Sequence, residues 1–142
     1  MTRTTRRCEL EIDGASLGNP GPAGVGVVLI DGADGPPKPF AKALGPTTNN
    51  VAEYLALVYA LQAALRQGYR GVTVRTDSEL LARQLAGRYK VRDPQLRLFY
   101  DVARDLIGAF ADVEVRHVPR EQNRRADRLA GQAALGRETP WA

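Results

Sequence analysis

A chain of 142 residues with 44% apolar and 25% charged residues is long enough for one domain with its own core and too apolar for global disorder. Twenty Lys and Arg against 16 Asp and Glu leave a net charge of +4, which favours an anionic partner such as nucleic acid. One cysteine and one histidine exclude an internal disulfide and the usual zinc constellations.

No apolar run reaches membrane-spanning length, and the start, MTRTTRRCEL, lacks the apolar core of a signal peptide. A lone Cys8 fits a reducing cytoplasm. Residues 8–13 alternate in polarity and predict a strand, with Cys8, Leu10 and Ile12 on one face and Glu9, Glu11 and Asp13 on the other. The strand is expected to end at Asp13, where Asp-Gly opens the turn-rich stretch DGASLGNPGPAG. Residues 23–30, AGVGVVLI, predict a second strand, and DGADGPP then turns the chain into a third over 38–44. GPTTNN ends in good capping residues, so a helix is expected from Val51 to Gln67, stopped by Gly68. VTVRT at 72–76 is a fourth strand, and Asp77 and Ser78 open a helix to about Ala86. A basic connection, GRYKVRD, leads to Pro94, placed as a first-turn proline for a helix over about 95–109. DVEVRHV at 112–118 is a fifth strand, Pro119 stops it, and Asn123 can cap a last helix to about Leu135. Three strands joined by short turns, then strands joined through helices, predict an α/β fold. Its five-stranded mixed sheet has three antiparallel strands and then two parallel ones, flanked by helices. One domain is expected over residues 1–142, with a core over 8–135 and a tail, 136–142, without periodic pattern.

Placed on this scaffold, four carboxylates draw together. Asp13 and Asp77 end strands that would be parallel neighbours, so both emerge at the carboxyl edge of the sheet, where open α/β sheets bind ligands. Glu53 shares a helix face with Leu57 and Ala60, and Asp127 with Ala130 and Ala134, so both point inward. Each has a plainer role open to it: turn former for Asp13, helix cap for Asp77, dipole partner for Glu53 and Asp127. Spacing alone does not decide between them. Four clustered carboxylates would repel, and hard oxygen ligands suit Mg²⁺ or Mn²⁺.

The segments DGASLGNPGPAGVG, TTNNVAEYLAL, TDSELLARQL and HVPREQNRRADRLA occur in that order. Together they resemble the four blocks of the ribonuclease H type 1 family, over about residues 8–135. The resemblance implies an endoribonuclease that cuts the RNA strand of RNA–DNA hybrids, with a role in removing RNA primers and hybrids during replication and repair. It implies that Asp13, Glu53, Asp77 and Asp127 bind two Mg²⁺ or Mn²⁺ ions, Asp13 being shared. It implies that Asn19, Asn49 and Asn50 contact the hybrid minor groove and sense 2′-hydroxyls. Capping is the other reading of Asn49 and Asn50. Thr48 and Ser78 join the expected substrate contacts. Double-stranded RNA is a second substrate class left open, and a cytoplasmic monomer is expected.

Two departures from the family pattern matter. Only 50 residues separate Asp77 from Asp127, so the extra basic helix of many bacterial members is missing. Lys90 and Arg92, with Arg83 and Arg88, are expected to replace it in part, or else to form a solvated basic face. The loop before the last helix reads RHVPREQN, with His117 ten residues before Asp127. Strand alternation would pack His117 beside Val113 and Val115, so Arg120 is preferred to His117 as the loop residue that assists at the site. Glu11 and Arg75 would lie level on adjacent strands, and an ion pair between them is expected, extended by Glu114 or Arg116.

Overall fold

The computed structural model describes residues 6–32 and 35–141. Its strands are β1 (Arg7–Ser16), β2 (Gly21–Asp31), β3 (Pro37–Thr47), β4 (Gly71–Thr76) and β5 (Asp112–His117). Its helices are α1 (Asn49–Arg66), α2 (Glu79–Leu85), α3 (Pro94–Gly108) and α4 (Arg124–Ala134), with a short 3₁₀ turn at Arg120–Gln122 before α4. The sheet order is β3-β2-β1-β4-β5. β1, β2 and β3 pair antiparallel, and β4 runs parallel to β1 and to β5. This is the mixed sheet read from the sequence. The β2–β3 turn falls partly on residues 33–34, outside the described residues.

Alternation along β1 builds two different faces. Leu10 and Ile12 are wholly buried with Val25, Val27, Leu29, Val72 and Val74, and α1 lays Leu57, Ala60 and Leu61 over them. Thr48 caps α1, its hydroxyl accepting from the Val51 N–H at 3.3 Å. Gly68, just past the C-cap, takes φ +85°, a conformation that glycine enters without steric cost. On the opposite face, α4 carries a stripe of Ala126, Ala130 and Ala133, all fully buried. Small residues there meet small residues on β2: a Cβ on Gly26 would lie 2.3 Å from the Ala126 carbonyl oxygen. This close approach sets the residue after Ala126, Asp127, against β1.

Several boundaries and contacts differ from expectation. β1 does not end at Asp13 but runs on to Ser16, with Asp13 paired to Gly26. What ends there is its neighbour: Ile12 lies level with Thr76, the last residue of β4. From Asp13 onward, among the described residues, that flank of β1 has no strand beside it, so the carboxylate stands at the sheet edge from within a strand. Ser78, not Asp77, caps α2, accepting from the Leu81 N–H at 3.2 Å. Because Thr48 holds the cap of α1, Asn49 and Asn50 occupy its first turn instead. Asn123 stands at the cap position of α4 but makes no capping bond. His117 is exposed rather than packed with Val113 and Val115.

The expected Glu11–Arg75 ion pair does not form, although the two residues are level. α4 covers β1 and brings Arg125 to Glu11 with two bonds, 2.7 and 3.1 Å, in the bidentate geometry that strengthens such pairs. Arg75 instead reaches back to Glu9 at 3.7 Å, and Glu114 pairs with Arg116 at 2.7 Å along its own strand. The tail also has structure. Thr139 bridges Ala41 on the edge strand β3, and Trp141 stacks on Phe40 with ring centroids 4.7 Å apart.

Candidate active site

Asp13 from β1, Asp77 just beyond β4 and Glu53 from the second turn of α1 each bring a carboxylate oxygen within 4.8 Å of the others. Each is delivered by a different element, and backbone contacts fix the meeting point. The Gly14 N–H donates to Glu53 Oε1 at 2.6 Å. A Cβ on Gly14 would stand 2.3 Å from the Ala52 carbonyl carbon, so glycine is what lets α1 come this close to β1. Asp127 and Arg120 line the same cleft, with Asn49 at its rim. Asp127 lies outside the tight trio and meets Arg120 Nη2 at 3.3 Å.

Gathering carboxylates in a buried place raises their proton affinity. Asp13 is raised furthest from the ordinary carboxylate value, first by burial and then by the charges of Glu53 and Asp77. Burial also raises Glu53, against the lowering effect of the Gly14 N–H. Asp77 is raised by burial and by Asp127, and eased by an Asn123 hydrogen bond and by Arg120. Arg120 is the cation among the residues lining the cleft. A buried Asp77 oxygen, Oδ2, has no hydrogen-bond partner. An all-carboxylate donor set with an orphaned buried oxygen fits a hard divalent cation.

The remaining expected residues divide. Asn19 accepts the Asn49 N–H at 3.0 Å and ties the β1–β2 loop to the start of α1. Thr48 and Ser78 serve as helix caps within the same region, and Asn50 is exposed on the first turn of α1. Lys90 and Arg92 lie in a separate groove with Tyr89, Arg97 and Tyr100. His117 ends β5 level with Thr76 and does not line the cleft, whereas Arg120 does.

Two contributors escaped the sequence reading. Asn123, fully buried, donates from Nδ2 to the Ile12 carbonyl at 2.8 Å, pinning the start of α4 to the residue before Asp13. Arg125, in the first turn of α4, ties the same helix start to β1 through Glu11. Position before a helix suggested only a cap for Asn123, and nothing local shows which strand a helix start will meet.

A family model described as "Reverse transcriptase-like" matches residues 11–133. The chain is 46% identical over 127 residues to a protein named ribonuclease HI from Halobacterium salinarum, which covers 89% of the chain. The chain spans 64% of that relative's length and 34% of the length of its mycobacterial relatives. A crystal structure of RNase H1 from Halobacterium salinarum superposes with a TM-score of 0.87 at 45% identity, covering 92% of this chain and 98% of that one. LC11-RNase H1 in complex with RNA/DNA hybrid superposes with a TM-score of 0.84 at 38% identity, covering 91% and 97%.

Proposed function

The chain belongs to the type 1 ribonuclease H family, within the group described as reverse transcriptase-like, and from that membership we propose that it is an endoribonuclease hydrolysing the RNA strand of RNA–DNA hybrids. The observation that carries the reading is the carboxylate trio at the sheet edge, its oxygens within 4.8 Å of one another. The hybrid bound by LC11-RNase H1 supports the choice of substrate. Asp13, Glu53, Asp77 and Asp127 would hold two Mg²⁺ or Mn²⁺ ions, which would stabilise charge on the attacking and leaving oxygens of a phosphodiester.

The protein's own groups prepare that site. The Gly14 N–H orients Glu53 before substrate arrives, so less reorganisation remains at the moment of reaction. Arg120, exposed beside Asp127, meets phosphate and offsets its charge. Asn19 and Asn49, joined at 3.0 Å, present amides to the minor groove, where a 2′-hydroxyl distinguishes RNA from DNA. Lys90 and Arg92 hold the phosphates of the partner strand. The enzyme works as a cytoplasmic monomer. The buried single thiol of Cys8 suits a reducing compartment, and no helix among the described residues is long and apolar enough to cross a membrane.

End-labelled RNA–DNA, RNA–RNA and DNA–DNA duplexes of one sequence, incubated with Mg²⁺, Mn²⁺ or EDTA, test this function. Cleavage of RNA in the hybrid, abolished by EDTA, is expected. Cleavage of RNA–RNA at an equal rate would widen the substrate class, and cleavage of none would remove the function.

A further inference from the structure

Beneath the basic segment between α2 and α3 lies a buried polar contact outside the carboxylate site. Tyr54, next to Glu53 on α1, is 1% exposed, and its hydroxyl donates to Gln84 Oε1 at 2.6 Å. Gln84, 4% exposed near the end of α2, donates from Nε2 to the Lys90 carbonyl at 3.4 Å. One amide is thus held at both ends, and its orientation is single. The same turn is closed by the Arg88 N–H to the Arg83 carbonyl at 2.8 Å. The groove above is lined by Gln84, Tyr89, Lys90, Arg92, Arg97 and Tyr100, and among the described residues no carboxylate lines it. Arg83 lies over the Tyr89 ring at 5.3 Å and Arg97 over Tyr100 at 5.5 Å. Tyr100 in turn meets Tyr54 edge-on, with centroids 6.5 Å apart.

We propose that the Tyr54–Gln84 pair is a positioning element that holds the Lys90 main chain, and with it the basic groove, in fixed register with the helix carrying Glu53. The pair touches neither substrate phosphate nor the carboxylates. It acts through Lys90, and the proposal rests on reading Lys90 and Arg92 as substrate contacts. Long basic side chains on an unanchored loop must be ordered at binding, and that ordering weakens affinity. Anchoring the loop to α1 does so in advance, and it sets the distance between strand grip and cleavage site.

Steady-state kinetics on hybrid, with thermal unfolding measured in parallel, test the pair in the full chain. Gln84→Met removes both bonds and leaves the Tyr54 hydroxyl buried without a partner, so melting temperature falls. KM rises about three- to tenfold, the range expected for losing one or two net hydrogen bonds, and kcat falls less. Adding Tyr54→Phe removes the orphaned hydroxyl and recovers most of the melting temperature, yet KM stays high because the Lys90 carbonyl is still unheld. A double variant whose KM recovers together with its melting temperature would show a purely structural pair and overturn the proposal, as would an unchanged KM in both variants. The Lys90→Ala/Arg92→Ala variant separates the underlying reading. If it leaves KM unchanged, the groove does not touch substrate and both readings fall. If it raises KM and Gln84→Met does not, only the positioning role falls.

Discussion

Asp13 is a buried acid that carries a high electrostatic cost. It is 5% exposed, faces two further carboxylates, and is the group raised furthest in proton affinity. Asp13→Asn removes the charge while keeping the shape. Hybrid cleavage in Mg²⁺ is expected to fall below detection while the dissociation constant for hybrid, read in EDTA, stays within a few-fold of wild type. Near-normal turnover would remove Asp13 from the site. Arg120 and His117 are distinguished by place rather than by type. Arg120 lines the cleft beside Asp127 and His117 does not, so Arg120→Ala should lower kcat more than His117→Ala. A larger loss at His117 with the fold intact would reverse that assignment. That Asp13, Glu53, Asp77 and Asp127 come to one cleft was legible because each lies in its own recognisable block. Asn123 and Arg125 were not, since their partners, the Ile12 carbonyl and Glu11, lie more than a hundred residues away. No local pattern records which strand a helix will cross.

At the scale of elements, alternation and β-branched runs revealed the five strands, and caps, helix formers and Pro and Gly signals revealed the four α-helices, because all of these are local properties; the 3₁₀ turn at Arg120–Gln122 was not expected. Where β4 stops relative to β1 is not local, and that offset turns a mid-strand aspartate into an edge carboxylate. The level pairing of Glu11 with Arg75 was read correctly, but level residues need not bond when a helix supplies a better-placed guanidinium. Arg125→Ala therefore leaves the buried Glu11 carboxylate without its cation. Urea unfolding should show a loss of about 2 kcal/mol, between the exposed and buried limits for ion pairs, whereas Arg75→Ala, whose partner sits at 3.7 Å, should change stability by less than about 0.5 kcal/mol. An equal loss at both positions would contradict this division. The helix–sheet contact is equally specific: a methyl group on Gly26 would meet the Ala126 carbonyl oxygen at 2.3 Å. Gly26→Ala should cost about 2–3 kcal/mol and reduce cleavage as α4 carries Asp127 away from β1. Full activity in that variant would mean that α4 can move without consequence.

For the whole molecule, the site's charge couples function to stability. Asp13, Glu53 and Asp77 are all raised above their ordinary carboxylate values in the folded chain. Between those ordinary values, near 4, and the raised ones, the folded state binds more protons than the unfolded state, so stability falls as pH rises through that window. In EDTA the melting temperature should fall from pH 5 to pH 9, and the fall should be shallower in Asp13→Asn, which should also melt higher than wild type at pH 8. Mg²⁺ should raise the wild-type melting temperature more at pH 8 than at pH 5, because the cation binds the charged form. Identical profiles for the two proteins would show that the cluster carries no strain. Asp13, Glu53 and Asp77, carboxylates from three separate elements, are expected to form one metal-dependent centre for cutting RNA in a hybrid. That centre is tested most directly by the initial rate of hybrid cleavage in Mg²⁺ for wild type and for Asp13→Asn, Glu53→Gln and Asp77→Asn, each verified as folded. A loss of about two orders of magnitude or more at each position, with no cleavage by wild type in EDTA, is the result predicted; wild-type rates in any one of the three variants, or cleavage that persists without divalent cation, would contradict it.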